Sequence, residues 1–412
     1  MRLRRTAPWL VGASVAFFAA LALPWPHRAA GEGASAPAEA VATAQPEAPR
    51  LGEPSLDLDL GRYVAPLGEE RAILTLEPKL QSALERLLAD YRVPWGATVL
   101  LEPRTGKVLA LAQHSRKEPE ARDLSLRAMA PAASIFKIVT AAALLERGVE
   151  PESAICYHGG RHRIARGSLA DDPRRDRRCL TLATALGHSA NVVFAKLADR
   201  DLSADLLRTE AERLLFNAPI PFERSVQISR AEIPADPFDL ATTAAGFGSV
   251  RLSALHAALL AAIIANGGLF VAPRLVEAVE GEGSLPAAEP RRVLEERIAF
   301  WIGEMMRTTV TQGTARRVFR ERTRRRSLEG VTVAGKTGSI AERSPDYRDY
   351  SWFVGFAPVE NPRIAVATVV VNERLWRVKA PYVAKEALEA YFAAEPLRAE
   401  DAPPVGIRTA WR

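Results

Sequence analysis

The chain has 412 residues, 48% of them hydrophobic, and a net charge of +6 from 55 basic and 49 acidic residues. That is the composition of a globular chain with a large core, long enough for a membrane segment plus one large domain or two modest ones. The basic excess suits an anionic neighbourhood, but the arginines are scattered through loops without a zinc-finger or RNA-binding signature, so no nucleic-acid partner is expected.

Met1-Arg2-Leu3-Arg4-Arg5 is a short basic cap, and Ala7 to Pro26 is uncharged and mostly apolar. About 20 such residues can span a bilayer. The basic flank stays on the cytoplasmic side, so residues 1–27 are read as a cap and single-pass anchor, with the rest of the chain outside. A cleaved signal peptide is the competing reading, because Ala20-Leu21-Ala22 has the small-x-small form. Residues 28–68, rich in Ala, Pro, Glu and Gly, read as a linker with no core of its own.

From Arg71 to Leu76 the pattern alternates like a strand. Pro78 to Tyr91 carries a helical stripe at Leu80, Leu84, Leu87 and Leu88, with proline in the first turn. Gly96 to Leu101 and Val108 to Ala112 read as two strands joined by the turn Arg104-Thr105-Gly106-Lys107. Ser134 to Arg147 is helical and closed by Gly148 and Pro151. Cys156 and Cys179 are the only cysteines; in an exported chain they could pair, and the sequence does not supply the geometry that decides it. The six histidines and two cysteines show no zinc-ligand spacing.

The middle of the chain reads as helices over Leu180–Ala198, Ala204–Leu215, Leu252–Ala265 and Glu295–Thr311. Strands return over Val331–Gly335, Ser351–Ala357 and Arg363–Asn372, followed by a helix from about Tyr382 to Phe392 and a Pro-rich tail, residues 396–412. The fold class expected is α+β: a central antiparallel sheet flanked by helices, with an inserted, mostly helical lobe. A cleft between sheet and lobe is where a ligand would bind.

Three short motifs carry the chemistry. Ser134-Ile135-Phe136-Lys137 opens a helix, and a three-residue offset puts the serine and lysine on one face. A serine nucleophile needs such a partner, provided the lysine is desolvated enough to be a base. The bland alternative is a capping serine followed by a surface lysine. Ser189-Ala190-Asn191 offers a hydroxyl to relay a proton and an amide to hold the base or the substrate backbone. Its alternative is an N-cap serine before Val192.

Lys336-Thr337-Gly338-Ser339 is the third motif. With Gly330 it also spells G-x-x-x-x-G-K-T, the phosphate loop of nucleotide hydrolases. The context rejects that match, because Val331-Thr332-Val333-Ala334 is strand-like and an arginine-rich run precedes it. On an edge strand Thr337 can bind a carboxylate, Lys336 supplies positive field, Gly338 lets backbone approach, and the Ser339 N–H can join that of Ser134 in an oxyanion hole. The arginine run, Arg316 to Arg326, is read as a solvated helix or loop beside this strand.

Together, in this order, the three motifs resemble those of the penicillin-binding, D,D-peptidase family of serine acyltransferases. The resemblance runs from about Glu69 to Ala394, so residues 69–395 are taken as the transpeptidase-like domain. It is supported by Gly246-Phe247-Gly248, Asn266-Gly267-Gly268, Gln312-Gly313-Thr314 and Trp352-Phe353-Val354-Gly355-Phe356. Ala133 stands where the family often has glycine before the nucleophile.

The resemblance implies acylation of Ser134 by peptidoglycan stem peptides ending in D-Ala-D-Ala, and trapping of the same serine by β-lactam antibiotics. It implies Lys137 as general base, Ser189 as proton relay, Asn191 as orienting group, and Lys336 with Thr337, Gly338 and Ser339 as the substrate-binding wall. It implies no metal or organic cofactor, and it makes other wall-synthesis proteins candidate partners of a chain whose N-terminal segment is read as anchoring it at the cytoplasmic membrane, facing outward. Transfer to an amine would crosslink the wall; transfer to water would make the chain a carboxypeptidase. A β-lactamase, a β-lactam sensor or an inactive scaffold are the rival readings.

Overall fold

The computed structural model describes residues 51–321 and 328–397. The expected anchor, most of the linker and tail, and Arg322 to Arg326 lie outside these residues. No helix among the described residues is long and apolar enough to cross a membrane.

The centre is a five-stranded antiparallel sheet with spatial order Ala334–Glu342, Arg348–Ala357, Ile364–Asn372, Trp95–Leu101, Val108–His114. Both faces are covered, which explains why Ile364–Asn372 is buried at every position and reads as a nearly unbroken apolar run. Trp95, Ala97 and Val99 point into one core with Trp352, Val354, Ala365 and Ala367. Leu100, Phe353, Val366 and Val370 point into the other.

On the second face lie α1 (Pro78–Asp90), whose Leu80, Leu84 and Leu88 are buried, and the C-terminal helix Ala380–Ala394. The first face carries the helical lobe. Its helices are α2 (Lys137–Glu146), α3 (Leu182–Gly187), α4 (Asn191–Asp201), α5 (Ala204–Arg213), α6 (Pro237–Ala244), α7 (Ala254–Ala265) and α8 (Glu296–Thr311). A short α9 (Arg316–Arg320) follows, and the C-terminal helix is α10. α7 is buried at nearly every position because it packs between the sheet and the lobe.

Four expectations need correction. Residues 55–67 do not hang as a linker: Ser55–Asp57 and Arg62–Leu67 are strands of a second antiparallel sheet, with Glu70–Leu74, Val276–Val279 and Gly283–Ser284. Composition hid them, because Leu58 is 84% exposed and only Val64 and Ala65 are buried, so pairing rather than an apolar face holds them. The strand expected at Val331–Gly335 starts at Ala334 instead and runs to Glu342; its pairing begins at Ala334 opposite Phe356.

The helix expected over Leu180–Ala198 is broken in two. Ser189 has φ +53°. Ala190 N–H donates to Ala185 O at 2.8 Å and Ser189 N–H to Leu186 O at 3.1 Å, the pair of bonds that closes a helix with a left-handed residue. Glycine usually takes that position, so a serine there concealed the stop. Nor does Ser189 cap α4: the N-cap is Ala190, without a side-chain bond. Finally α6, which opens on the Asp236 cap, was not anticipated.

The two cysteines are joined, Cys156 to Cys179, across the hairpin Ala154–Tyr157 and Arg178–Thr181.

Within the lobe, Glu210 of α5 is 2% exposed and 3.3 Å from Arg213, which Glu146 also contacts. Burial and then the Glu146 charge push the Glu210 carboxyl up to about 8. The unfolded chain releases this proton near pH 4.5, while the folded chain keeps it to about 8. Stability is therefore lost as pH rises through that window. Glu210→Gln is expected to stabilise the fold by about 2–4 kcal/mol at pH 8 and to change little at pH 4. Denaturant unfolding at both pH values checks this.

Candidate active site

The turn that carries Ser134 is built by constraint. Residues Ala133–Phe136 form a 3-10 turn that runs into α2. Ala133 is left-handed, φ +47°. Three contacts hold the strained turn: Ala132 N–H donates to Val250 O at 2.9 Å, Trp352 Nε1 donates to Pro131 O at 2.9 Å, and Gly246 packs against the Ala133 carbonyl. Trp352 belongs to the central sheet, so the turn is tied directly to the scaffold.

Ser134 is half-buried at the cleft, while Lys137 directly beneath it is fully buried. Lys137 Nζ lies 2.8 Å from Ser134 Oγ, 2.8 Å from Asn191 Oδ1 and 2.6 Å from Ala245 O. Asn191 Nδ2 donates to His162 O at 2.9 Å, which fixes the amide with its oxygen toward the lysine. Burial, and then the Lys336 charge, pull Lys137 well below the ordinary lysine range.

A neutral lysine has two N–H bonds and one lone pair. Asn191 Oδ1 and Ala245 O can only accept, so they take both hydrogens. The lone pair is left for the Ser134 hydroxyl. Once protonated, the ammonium has three donors and finds three acceptors. The arrangement thus suits both protonation states of a base.

The opposite wall is the edge strand Ala334–Glu342, whose one partner in the sheet among the described residues is Arg348–Ala357. Fully buried Lys336 donates to Ser189 Oγ at 3.0 Å and to Thr337 O at 2.7 Å. Burial pulls Lys336 down to about 7. Gly338 lies against the Ser134 turn; a Cβ there would meet Ile135 Cγ1 at 3.2 Å. Ser339 is exposed at the strand edge.

The cleft between the walls has a volume of about 410 Å³. Ser134, Ser189, Asn191, Thr337 and Ser339 line it, and among the described residues no Asp or Glu does. The structure therefore brings together all eight residues singled out in the sequence. It also adds groups that sequence reasoning missed. Thr314 Oγ1 is 2.5 Å from Thr337 Oγ1. The Ala245 and His162 carbonyls are backbone atoms and carry no residue-type signal. Thr314 lies in the Gln312-Gly313-Thr314 stretch noted in the sequence, to which no role was assigned there; a Cβ on Gly313 would sit 2.0 Å from Gly187 O. Among the described residues no group of His, Cys, Asp and Glu is arranged to hold a metal.

Residues 96–390 match the model of the penicillin binding protein transpeptidase domain. The chain is 29% identical over 340 residues to the peptidoglycan D,D-transpeptidase PbpA of Mycobacterium tuberculosis (strain CDC 1551 / Oshkosh), covering 72% of this chain and 66% of that one. It is 27% identical to the PbpA of Mycolicibacterium smegmatis, covering 67% and 61%. The chain thus spans slightly under two thirds of the length of these curated relatives. Among solved structures it resembles the D,D-transpeptidase domain of a peptidoglycan glycosyltransferase from Eggerthella lenta, with TM-score 0.64, 24% identity and coverage of 84% and 96%. It also resembles penicillin-binding protein A from M. tuberculosis in its imipenem acyl-enzyme complex, with TM-score 0.64, 24% identity and coverage of 78% and 79%.

Proposed function

From the premise that the chain belongs to the penicillin binding protein transpeptidase domain family, we propose that it is a serine D,D-transpeptidase that crosslinks peptidoglycan stem peptides through a Ser134 acyl-enzyme. The observation that carries this reading is the three-acceptor environment of buried Lys137, which leaves its lone pair for Ser134.

Ser134 Oγ attacks the carbonyl of the penultimate D-Ala as Lys137 takes the hydroxyl proton. The N–H groups of Ser134 and Ser339 hold the developing oxyanion. Collapse expels the terminal D-Ala, whose amine receives a proton through Ser189, the hydroxyl beside Lys336. Lys336 and Thr337 hold the terminal carboxylate. An amine of a second stem peptide then attacks the ester, forms the crosslink and frees Ser134. A β-lactam enters by the same first step, but its leaving nitrogen stays tethered.

We place the described body outside the membrane, held by residues 7–26, on the strength of their uncharged apolar run and its basic flank. Membrane fractionation before and after removal of those residues tests this part.

Incubation with a fluorescent penicillin, followed by peptide mass mapping, tests the chemistry. The expected result is one adduct, on the peptide containing Ser134, with slow loss of label. Absence of an adduct, or an adduct elsewhere, sinks the proposal. Rapid loss of label marks a β-lactamase. A D-Ala-D-Ala donor with an amine acceptor then separates transfer from hydrolysis by product mass.

A further inference from the structure

The Cys156–Cys179 disulfide closes the loop of residues 157–178, and this loop grips α4 at two points. At the helix start, Val192 N–H donates to Arg161 O at 3.2 Å and Asn191 Nδ2 to His162 O at 2.9 Å. Farther along the same helix, Lys196 reaches back into the loop. Its ammonium donates to Asp176 at 2.6 Å, to the Cys156 carbonyl at 3.0 Å, and pairs with Asp171 at 2.9 Å. Asp176 also lies 2.5 Å from His158 Nδ1 and accepts the Asp172 N–H at 3.0 Å. The Lys196 and Asp176 side chains are 5% and 6% exposed. A buried ion pair is a costly way to fasten a surface loop, and breaking one partner leaves an uncompensated charge. Such a pair is best explained by a demand for position.

We propose that this disulfide-closed loop sets the sense of the Asn191 amide, and so directs the Lys137 lone pair at Ser134, with Lys196 and Asp176 as positioning residues. The physical link is short. With the His162 carbonyl in place, only the Asn191 nitrogen can face it, and the oxygen must face Lys137. Without that carbonyl the amide is free to turn over. Its NH2 would then donate to Lys137, occupy the lone pair and leave the lysine unable to take the Ser134 proton. The inference rests on the acyl-enzyme reading above.

The test measures acylation rates of the full chain with a fluorescent penicillin. The variants are Lys196→Met, Lys196→Arg and the double change Cys156→Ser/Cys179→Ser, each in the wild-type and Asn191→Ala backgrounds. In the wild-type background the Lys196→Met and cysteine variants are expected to acylate about tenfold to a hundredfold more slowly, with the half-saturating penicillin concentration changed less than about twofold. Lys196→Arg recovers most of the rate, because a guanidinium still reaches Asp176. In the Asn191→Ala background the same changes are expected to cost less than about twofold, since the group they act through is gone.

Equal fold-losses in both backgrounds would overturn the proposal, because they would mean general damage to the fold. So would wild-type rates in a folded cysteine variant, which also decides the matter if Lys196→Met does not fold. A labelled wild type with such additive losses overturns only this inference; a wild type that takes no label overturns the acyl-enzyme reading with it.

Discussion

Lys137→Met is expected to slow acylation of Ser134 by about a thousandfold, within the range of a lost general base. The substitution isolates the chemistry. Methionine nearly matches the lysine stem in length, and it removes a desolvated amine instead of exposing one, so the fold should hold. Stopped-flow acylation with a fluorescent penicillin measures the rate, and a loss below about tenfold would assign the base to another group.

The pH profile gives an independent check. Two causes depress Lys137, burial and the charge on Lys336, whereas burial alone depresses Lys336 to about 7. Lys137, with the Lys336 charge beside it, gives up its proton well below the ordinary lysine range. Below that point the base is blocked; above about pH 7 Lys336 loses the charge that attracts the carboxylate. Acylation is expected to follow a bell with its alkaline limb near 7. In Lys137→Met the acid limb disappears.

The second large effect is expected at a residue with no side chain at all. Gly246 has φ +95°, and a Cβ there would lie 2.4 Å from Ala133 O, 2.6 Å from Ala133 C and 3.0 Å from Ser134 N. All three are backbone atoms, so none can swing aside as a side-chain end would. Gly246→Ala must push the peptide between Ala133 and Ser134, and with it the nucleophile. A displacement near 1 Å costs about a hundredfold in rate. Gly148→Ala is the control: its φ is +83°, yet a Cβ there meets nothing within 4 Å. Both variants incur the left-handed backbone penalty of about 1–2 kcal/mol. Only Gly246→Ala is expected to lose acylation. Equal acylation by the two would remove the steric argument.

Much of this site could be read from local pattern. A three-residue helical offset joined Ser134 to Lys137, and strand-like residues around Lys336 ruled out a phosphate loop. The sheet strands were legible because a doubly buried strand is apolar at nearly every position. What escaped the sequence depends on partners remote in the chain. Ser189 takes a left-handed conformation that its residue type does not advertise, so two helices read as one. The strands over residues 55–67 are held by pairing with Glu70–Leu74, and their exposed leucines disguised them. The carbonyls of Ala245 and His162 act through backbone atoms. Nothing in a residue's identity marks which carbonyl will meet a lysine.

The strand order of the central sheet also governs when the cleft can form. Trp95–Leu101 pairs with Ile364–Asn372, and everything that bears Ser134, Lys137 and Ser189 is made between them. As the chain is synthesised, the helical lobe is complete long before its sheet has a second half. Lys336 has no wall to stand in until the strands through Asn372 have emerged. Pairings so distant in sequence form slowly and leave apolar strand surface uncovered meanwhile. Formation of the wall that carries Lys336 and Thr337 is therefore a late event in folding, and an incomplete chain would pair Ser134 with Lys137 but lack the strand proposed to hold the carboxylate.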